Sequence, residues 1–426
     1  MHPRNPYRAP PDFRELAKAY SPLQPCLLDV PGGGASINFK DELSQRRLTE
    51  ALLHRDFGLS LELPENRLCP PVPNRLNYVL WIQDILRASF GRRVGRVVGV
   101  DVGTGASAIY PLLSCKLDAD WSFIATDVDE VSLRYARSNV ERNGLGDRIQ
   151  ILATTAEAPI FAALRDRRVD FTMCNPPFYS SHQEVAASAE AKEFEPNAVC
   201  TGADVEMITP GGESAFVRRM VEESVELGER CCWYTSMLGK LSSVTEVVAA
   251  FREREIENYG ITEFIQGSTR RWAVVWSFSD LRLPDSTARI TTPKLQSLMP
   301  PRNTLVQSFP SSGQRVEALN DVLHGVLESV DGARVASSEV DIPFIITATK
   351  NTWSRGARRK NKNNPDPEVV LEEESEPAVI CALRWTESST EICLECQWVQ
   401  GRDRSLFEGL SSHISRKVAA ILNSSN

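Results

Sequence analysis

The chain has 426 residues, 42% of them hydrophobic and 24% charged, with a formal net charge of -8; this excludes a mainly disordered, fibrous or uniformly basic chain and leads us to expect two or three domains. No stretch reaches the ~18 apolar residues of a membrane span, and the start MHPRNPYRAPPDF lacks the apolar core of a signal peptide. Ten cysteines, including the adjacent Cys231 and Cys232, make no regular disulfide framework, so free thiols in an intracellular protein are expected.

In chain order, residues 1–40 open with a proline-rich basic arm in which Arg4, Arg8, Arg14 and Lys18 meet only Asp12 and Glu15. Leu43, Leu48, Leu52 and Leu53 then predict a helix over 40–57 stopped by Gly58, and Leu76, Val79, Leu80 and Leu86 predict a second over 73–88. From residue 97 the pattern changes to apolar strands at 97–102, 122–127, 149–153, 170–174, 231–237, 261–266 and 272–278. Amphipathic helices alternate with them at 107–117, 129–143, 212–228 and 243–256. That alternation predicts an α/β domain over 41–283, with a seven-stranded, mainly parallel sheet and an N-terminal helical extension. The short QGSTR segment between the last two strands predicts an antiparallel hairpin.

Residues 284–307 are rich in Pro, Ser and Thr and read as a linker. A smaller α+β domain is expected over 308–426: a helix at 319–330, strands at 344–349, 378–385 and 392–399, and a closing helix at 406–422. Its loop 350–376 holds two opposed charge blocks. Lys350, Arg355, Arg358, Arg359, Lys360 and Lys362 stand without an acid, and six acids then follow without a base. The basic block reads either as a phosphate-binding patch, since counterion release depends on local charge density, or as a solvated loop.

Three segments carry chemistry. In GVDVGTGAS the strand runs into Gly103 and Gly105 and then a helix, with Ser107 beside them. Missing Cβ atoms there let backbone approach a cofactor, and the helix N-terminus offers free N–H groups. The position that would complete a dinucleotide fingerprint is Ala108. Asp127 ends the next strand, 22 residues after Gly105, where a carboxylate can accept both ribose hydroxyls of an adenosine; NAD and S-adenosylmethionine share that need. Asp129 is the better helix cap of the two.

The third segment is Asn175-Pro176-Pro177-Phe178, at the carboxyl end of the fourth strand. An exocyclic aromatic amine is a poor nucleophile because its lone pair is delocalised into the ring. An Asn oxygen and a carbonyl held rigid by two prolines can accept its two N–H bonds and direct that lone pair at a methyl donor, while Phe178 stacks on the base. An ordinary Asn-Pro turn is the simpler alternative.

These segments, with RNPYRAPPDF, SINFKD, RDFGLSL, PNRLNYVLWIQD, GGESAFVRRM, WYTSMLGK and QGSTRRWAVVWSF, resemble the eukaryotic N6-adenosine methyltransferases of U6 small nuclear RNA, over nearly all of residues 1–280. The resemblance implies a Rossmann-like class I methyltransferase sheet, S-adenosyl-L-methionine as cofactor without a metal, and RNA as partner. By matching residues it makes Arg75, Gly103, Asp127 and Asn175 contacts to cofactor or reacting amine, and Gly105 and Ser107 further cofactor contacts. Arg4, Arg8, Lys40, Arg271 and the block Arg355, Arg358, Arg359, Lys360 and Lys362 become RNA contacts. The last domain resembles, more loosely, an RNA-binding region appended to animal members. A monomer acting in the nucleus, with the cytoplasm as second choice, is expected.

Two departures stand out. Ser268 replaces an expected second arginine, and ATTAEAP lacks the lysine-bearing regulatory loop of the family. Two other readings stay open: methylation of a protein glutamine amide, which enzymes with a similar motif perform, and a non-catalytic RNA-binding scaffold. Cys393 and Cys396 have metal-ligand spacing but no second pair, so buried thiols are expected; Trp353 either stacks on a base or anchors its loop; and Gly32-Gly33-Gly34 reads as a turn.

Overall fold

The computed structural model describes residues 1–90, 95–186, 202–267, 269–310, 316–336, 344–354, 356–357, 359, 376–387 and 391–424. They fall into two units, one formed by Met1–Ser279 with Ile290–Pro300, the other by Asp280–Arg289 with Pro301–Asn426.

The N-terminal arm is a docked segment. Helix α1 (Phe13–Ala19), capped by Asp12, is followed by the antiparallel strands β1 (Leu27–Val30) and β2 (Gly34–Ile37), with the Gly32-Gly33 turn between them. Helix α2 (Glu42–Phe57) is capped by Asp41 and ends at Gly58 with φ +60°, and α3 (Val72–Phe90) follows. The first residues lie along α3: His2 N–H donates to Asn77 Oδ1 at 2.9 Å, and His2 Nε2 meets Asp84 at 2.8 Å. The Arg4 guanidinium donates to Asp84 (2.5 Å), Gln83 (2.7 Å) and the Leu80 carbonyl (2.9 Å). Four prolines and a run of bases look like a loose arm only while their partners, 70 to 80 positions away, are out of view.

The first unit is built on β3 (Val97–Val102), β4 (Trp121–Asp127), β5 (Ile149–Ala153), β6 (Val169–Cys174), β7 (Cys231–Leu238), β8 (Tyr259–Gln266) and β9 (Thr269–Trp276), ordered β5-β4-β3-β6-β7-β9-β8. Strands β3 to β7 pair in parallel, and β8 and β9 form the expected hairpin, with β9 antiparallel to β7. Helices α4 (Ile109–Leu117) and α5 (Glu130–Arg142) follow β3 and β4. A single turn α6 (Asp204–Met207), then α7 (Gly212–Leu227), lead into β7, and α8 (Leu241–Glu253) leaves it.

Val217, Met220 and Val221 of α7 and Val244, Val247 and Phe251 of α8 bury one face together with Tyr234 and Trp276. On the other face α3 docks by polar as well as apolar contacts: Tyr78 Oη shares a hydrogen bond with Thr235 at 2.6 Å, and Trp233 Nε1 donates to Ser89 at 2.8 Å. The seven-stranded fold matches the expectation, because parallel strands buried on both faces give continuous apolar runs that are easy to read.

The second unit holds α9 (Asp285–Ala288), β10 (Thr304–Pro310), α10 (Val316–Glu328), β11 (Ala333–Ala336), β12 (Phe344–Ala348), β13 (Val379–Glu387), β14 (Glu391–Gln400) and α11 (Arg404–Ser424). Its five strands are all antiparallel in the order β10-β14-β13-β12-β11. Leu323 and Leu327 of α10 and Phe407, Leu410 and Ile414 of α11 pack on Leu383, Leu394 and Trp398.

One expectation fails here, and one open alternative is decided. Residues 284–307 are not a linker: 285–288 are helical, 290–300 return to the first unit, and β10 pairs with β14 along its length. Strand β10 is an edge strand ending in proline, a composition that edges tolerate and that imitates a loop. Trp353 is buried against Gly409 rather than offered to a base. Cys396 faces the core of β14 and Cys393 the opposite side, as the spacing predicts; among the described residues nine cysteines are free.

Candidate active site

A cavity of about 420 Å³ opens at the carboxyl ends of β3, β4, β5 and β6. Parallel strands place all their carboxyl ends on one edge, so the loops that follow them converge there. Gly103 (φ +70°) and Gly105 (φ +64°) take left-handed conformations, which let the chain leave β3 and turn into α4 without a side chain over the cavity. The N–H groups of Gly103 and Thr104 both donate to the Thr126 carbonyl, at 3.0 and 2.9 Å, fixing this turn to the end of β4. Ala108, at φ +46°, is the N-cap of α4.

Asp127 accepts the N–H of Gly105 at 2.8 Å through Oδ2 and that of Asp129 at 2.9 Å through Oδ1. Burial pushes its carboxyl up from the ordinary value, and these backbone donors offset part of the rise. Asp129 caps α5 by accepting the Ser132 N–H at 2.7 Å, as expected, and also pairs with buried Arg67 at 2.8 Å.

Arg75 reaches the cavity from α3. It is buried, donates to Tyr110 Oη at 3.2 Å, and stands 5.6 Å from the centre of the Tyr110 ring. Ser107 lines the same wall. At the end of β6 the side-chain oxygen of Asn175 is buried and has no hydrogen-bond partner. An acceptor left in that state costs on the order of 1–3 kcal/mol, an expense tolerated where a ligand donor fills the vacancy. Pro177 lines the cavity beside it. Phe178 packs outside this wall, 3.3 Å from the place a Cβ on Gly239 would take and 5.8 Å below the Arg271 guanidinium. The structure thus brings Arg75, Gly103, Gly105, Ser107, Asp127, Asn175 and Pro177 around one cavity and places Phe178 and Arg271 together beside it, whereas Pro176 is not in the lining.

The remaining basic candidates divide. Arg8, Lys40 and Arg359 are exposed. Arg4 is exposed as well, but three of its five N–H donors are turned to Asp84, Gln83 and the Leu80 carbonyl along α3. Arg355, Arg358, Lys360, Lys362, Ser268 and nearly all of the acidic block lie outside the described residues.

Several wall residues were not found by sequence reasoning. Leu68 and Pro70 precede α3, Glu206 and Thr209 lie on a segment crossing the cavity, and Arg219 comes from α7. The crossing segment is tied to the Asn175–Phe178 motif: Tyr179 N–H donates to the Met207 carbonyl and Thr209 N–H to the Tyr179 carbonyl, both at 2.9 Å. Arg219 pairs with Glu223 at 2.9 Å and donates to the Ala158 carbonyl at 2.5 Å, while Glu223 accepts the Phe161 N–H at 3.1 Å. The i,i+4 spacing of Arg219 and Glu223 was a legible signal; the strand-like bridge at Tyr179 was not. Asp101, in β3, is fully buried, and burial pushes its carboxyl up to about 7, the nearby Thr104 hydroxyl offsetting part of the rise.

Comparison with known proteins agrees with this geometry. A family model described as RNA methyltransferase matches residues 1–280. The chain is 33% identical to the RNA N(6)-adenosine-methyltransferase mettl16 of Danio rerio, covering 96% of this chain and 95% of that protein. It is 34% identical to the U6 small nuclear RNA (adenine-(43)-N(6))-methyltransferase of Schizosaccharomyces pombe, over 90% of this chain and 95% of the relative. Among solved structures, the human Mettl16 catalytic domain in complex with a MAT2A 3'UTR hairpin superposes with a TM-score of 0.59 at 40% identity, over 66% of this chain and 96% of that one. The N-terminal domain of human METTL16 in complex with SAH gives 0.56 at 38% identity, over 66% and 99%.

Proposed function

This chain belongs to the RNA methyltransferase family, and we propose that it transfers a methyl group from S-adenosylmethionine to N6 of an adenosine in structured RNA, with U6 small nuclear RNA as its substrate. The single observation that carries the reading is the buried, unpartnered Asn175 oxygen in the wall of the cavity that also holds Asp127 and Arg75.

In this reading Asp127, Gly103, Gly105, Ser107 and Arg75 hold the cofactor. Asp127 suits a pair of ribose hydroxyls because its carboxylate is already oriented by two backbone donors, leaving its other lone pairs free. The Gly103–Gly105 turn presents backbone rather than side chain. The cofactor, when bound, supplies a methyl group on a positively charged sulfur. Asn175 accepts one N–H of the adenine amine and the Pro176-Pro177 backbone fixes the geometry, so the nitrogen lone pair is aimed rather than activated by a base. The amine becomes acidic only after it is alkylated, so its proton can pass to water without a tuned catalytic base. Phe178, flanked by Arg271, provides a ring face for the flipped base.

The second unit is proposed to recruit structured RNA by charge, through the loop that contains Arg359 and the bases around it. A nuclear location suits a nuclear RNA substrate. Incubation of the protein and radiolabelled S-adenosylmethionine with total RNA and with total protein tests the assignment. Label in a small nuclear RNA, recovered as N6-methyladenosine, supports it; label in protein instead would favour the glutamine amide.

A further inference from the structure

Glu206 lies on α6, in the segment that crosses the cavity, and sequence reasoning assigned it nothing. One of its carboxylate oxygens is fixed: it accepts the N–H of Leu68 and the N–H of Ala203, each at 3.0 Å. The other points toward the glycine turn, 3.6 Å from where a Cβ on Gly105 would stand. Gly105 donates its own N–H to Asp127 at 2.8 Å, so two carboxylates flank one turn. Burial pushes the carboxyl of Glu206 up; the Leu68 and Ala203 N–H groups, and after them the positive charge of nearby Arg67, offset part of the rise, while Asp127 adds to it.

The charges around the cavity do not cancel. Asp127 and Glu206 contribute two carboxylates to the wall against the one guanidinium of Arg75, since Arg219 is already paired with Glu223. A cavity of that character favours a cation. Resting on the methyltransferase reading, the relevant cation is clear: S-adenosylmethionine carries a sulfonium and an ammonium against one carboxylate, and methyl transfer turns the sulfonium into a neutral thioether. Cofactor and product then differ by one positive charge and one methyl group.

We propose that Glu206 is a cofactor-discriminating residue, whose carboxylate makes this cavity hold S-adenosylmethionine in preference to its own demethylated product. The rigid seating is part of the assignment. An oxygen held by two backbone donors keeps its partner oxygen at the turn at no further ordering cost, so the charge acts on whatever lies over Gly105. Discrimination at this point favours product exchange, since the product keeps its ammonium but has lost the sulfonium charge.

The test is Glu206→Gln in the full-length chain, because glutamine keeps the size and an oxygen acceptor for the Leu68 and Ala203 N–H groups while removing the charge. Calorimetric titration with S-adenosylmethionine and S-adenosylhomocysteine gives two affinities for each protein. The expected result is a loss of about five- to tenfold for S-adenosylmethionine, the scale of one partly screened charge, with less than a twofold change for the product. Equal losses for both would reduce Glu206 to a clasp between Leu68 and α6 and overturn the proposal, as would two unchanged affinities. If the unmodified protein bound neither compound, the methyltransferase reading itself would fall, and this assignment with it.

Discussion

The two units solve the burial of a sheet in different ways, and the difference decides where chemistry can reside. In the first, five parallel strands send every carboxyl end to one edge, so the turns after β3, β4, β5 and β6 meet around one cavity and bring Gly103, Asp127, Thr154 and Asn175 together. In the second, antiparallel strands alternate direction, and successive loops leave from opposite edges. The second unit packs a core of Leu394, Trp398, Phe407 and Leu410. The buried, unpartnered Asn175 oxygen lies at the carboxyl edge of the parallel sheet, where ligands bind, whereas Trp353 Nε1 in the second unit lies against α11 at Gly409. Parallel topology concentrates loop ends at one edge, which the antiparallel unit does not do.

The sharpest break in this comparison is Asn175→Ala. It should lower methyl transfer by ~100-fold or more while leaving cofactor affinity and melting temperature nearly unchanged, because it removes an orienting acceptor rather than a packed side chain. Single-turnover assays on a hairpin RNA, with calorimetry alongside, measure both. Asp127→Ala comes next, with cofactor affinity weaker by about 1.5–3 kcal/mol, the range for hydrogen bonds to a charged group. An unchanged affinity would detach Asp127 from the site.

On the other side of the comparison, neutralising Arg355, Arg358, Arg359, Lys360 and Lys362 together should weaken binding of long structured RNA and flatten its salt dependence by up to ~0.7–0.9 log units per lost phosphate contact. A short oligonucleotide should be affected less. Equal effects on both lengths, read by anisotropy at several salt concentrations, would remove the recruiting role from this loop.

The smallest effect concerns stability. Burial raises the carboxyl of Asp101 from 3.8 to about 7 in the folded chain, so the folded state holds a proton that the unfolded state has released between those values. Stability should therefore fall as the pH rises from about 4 to 7. Asp101→Asn should remove this decline and melt a few degrees higher at pH 8, the gap closing as the pH is lowered; scanning calorimetry across that range checks the sign.

Much was legible in the chain alone, and for definite reasons. Strands β3, β4, β6 and β7 are largely buried on both faces, so they read as apolar runs, and α5, α7 and α8 show the helical period. The glycine turn, Asp127 and the Asn175–Phe178 run were visible because each obeys a local rule of backbone or cap. The stretch 284–307 reads as a linker, the docking of the N-terminal arm leaves no sign in the chain, and the choice between the two readings of Trp353 stays open there, because these settings are made by distant partners: β14 for β10, Asp84 for Arg4, and Gly409 for the indole.

Sequence by itself determined the order of strands and helices from β3 to β9, the glycine turn after β3 and the Asn175–Phe178 run, since these depend on residues within a few positions of one another. Tertiary structure alone decided that Glu206 and Leu68, 138 positions apart, close one wall of the cavity. It also decided that Arg219 and Glu223 hold the loop after β5, and that the orphaned oxygen of Asn175 lies where it does. A hydrogen bond across such a distance leaves no period or spacing in the chain, because it is formed by packing rather than by local propensity.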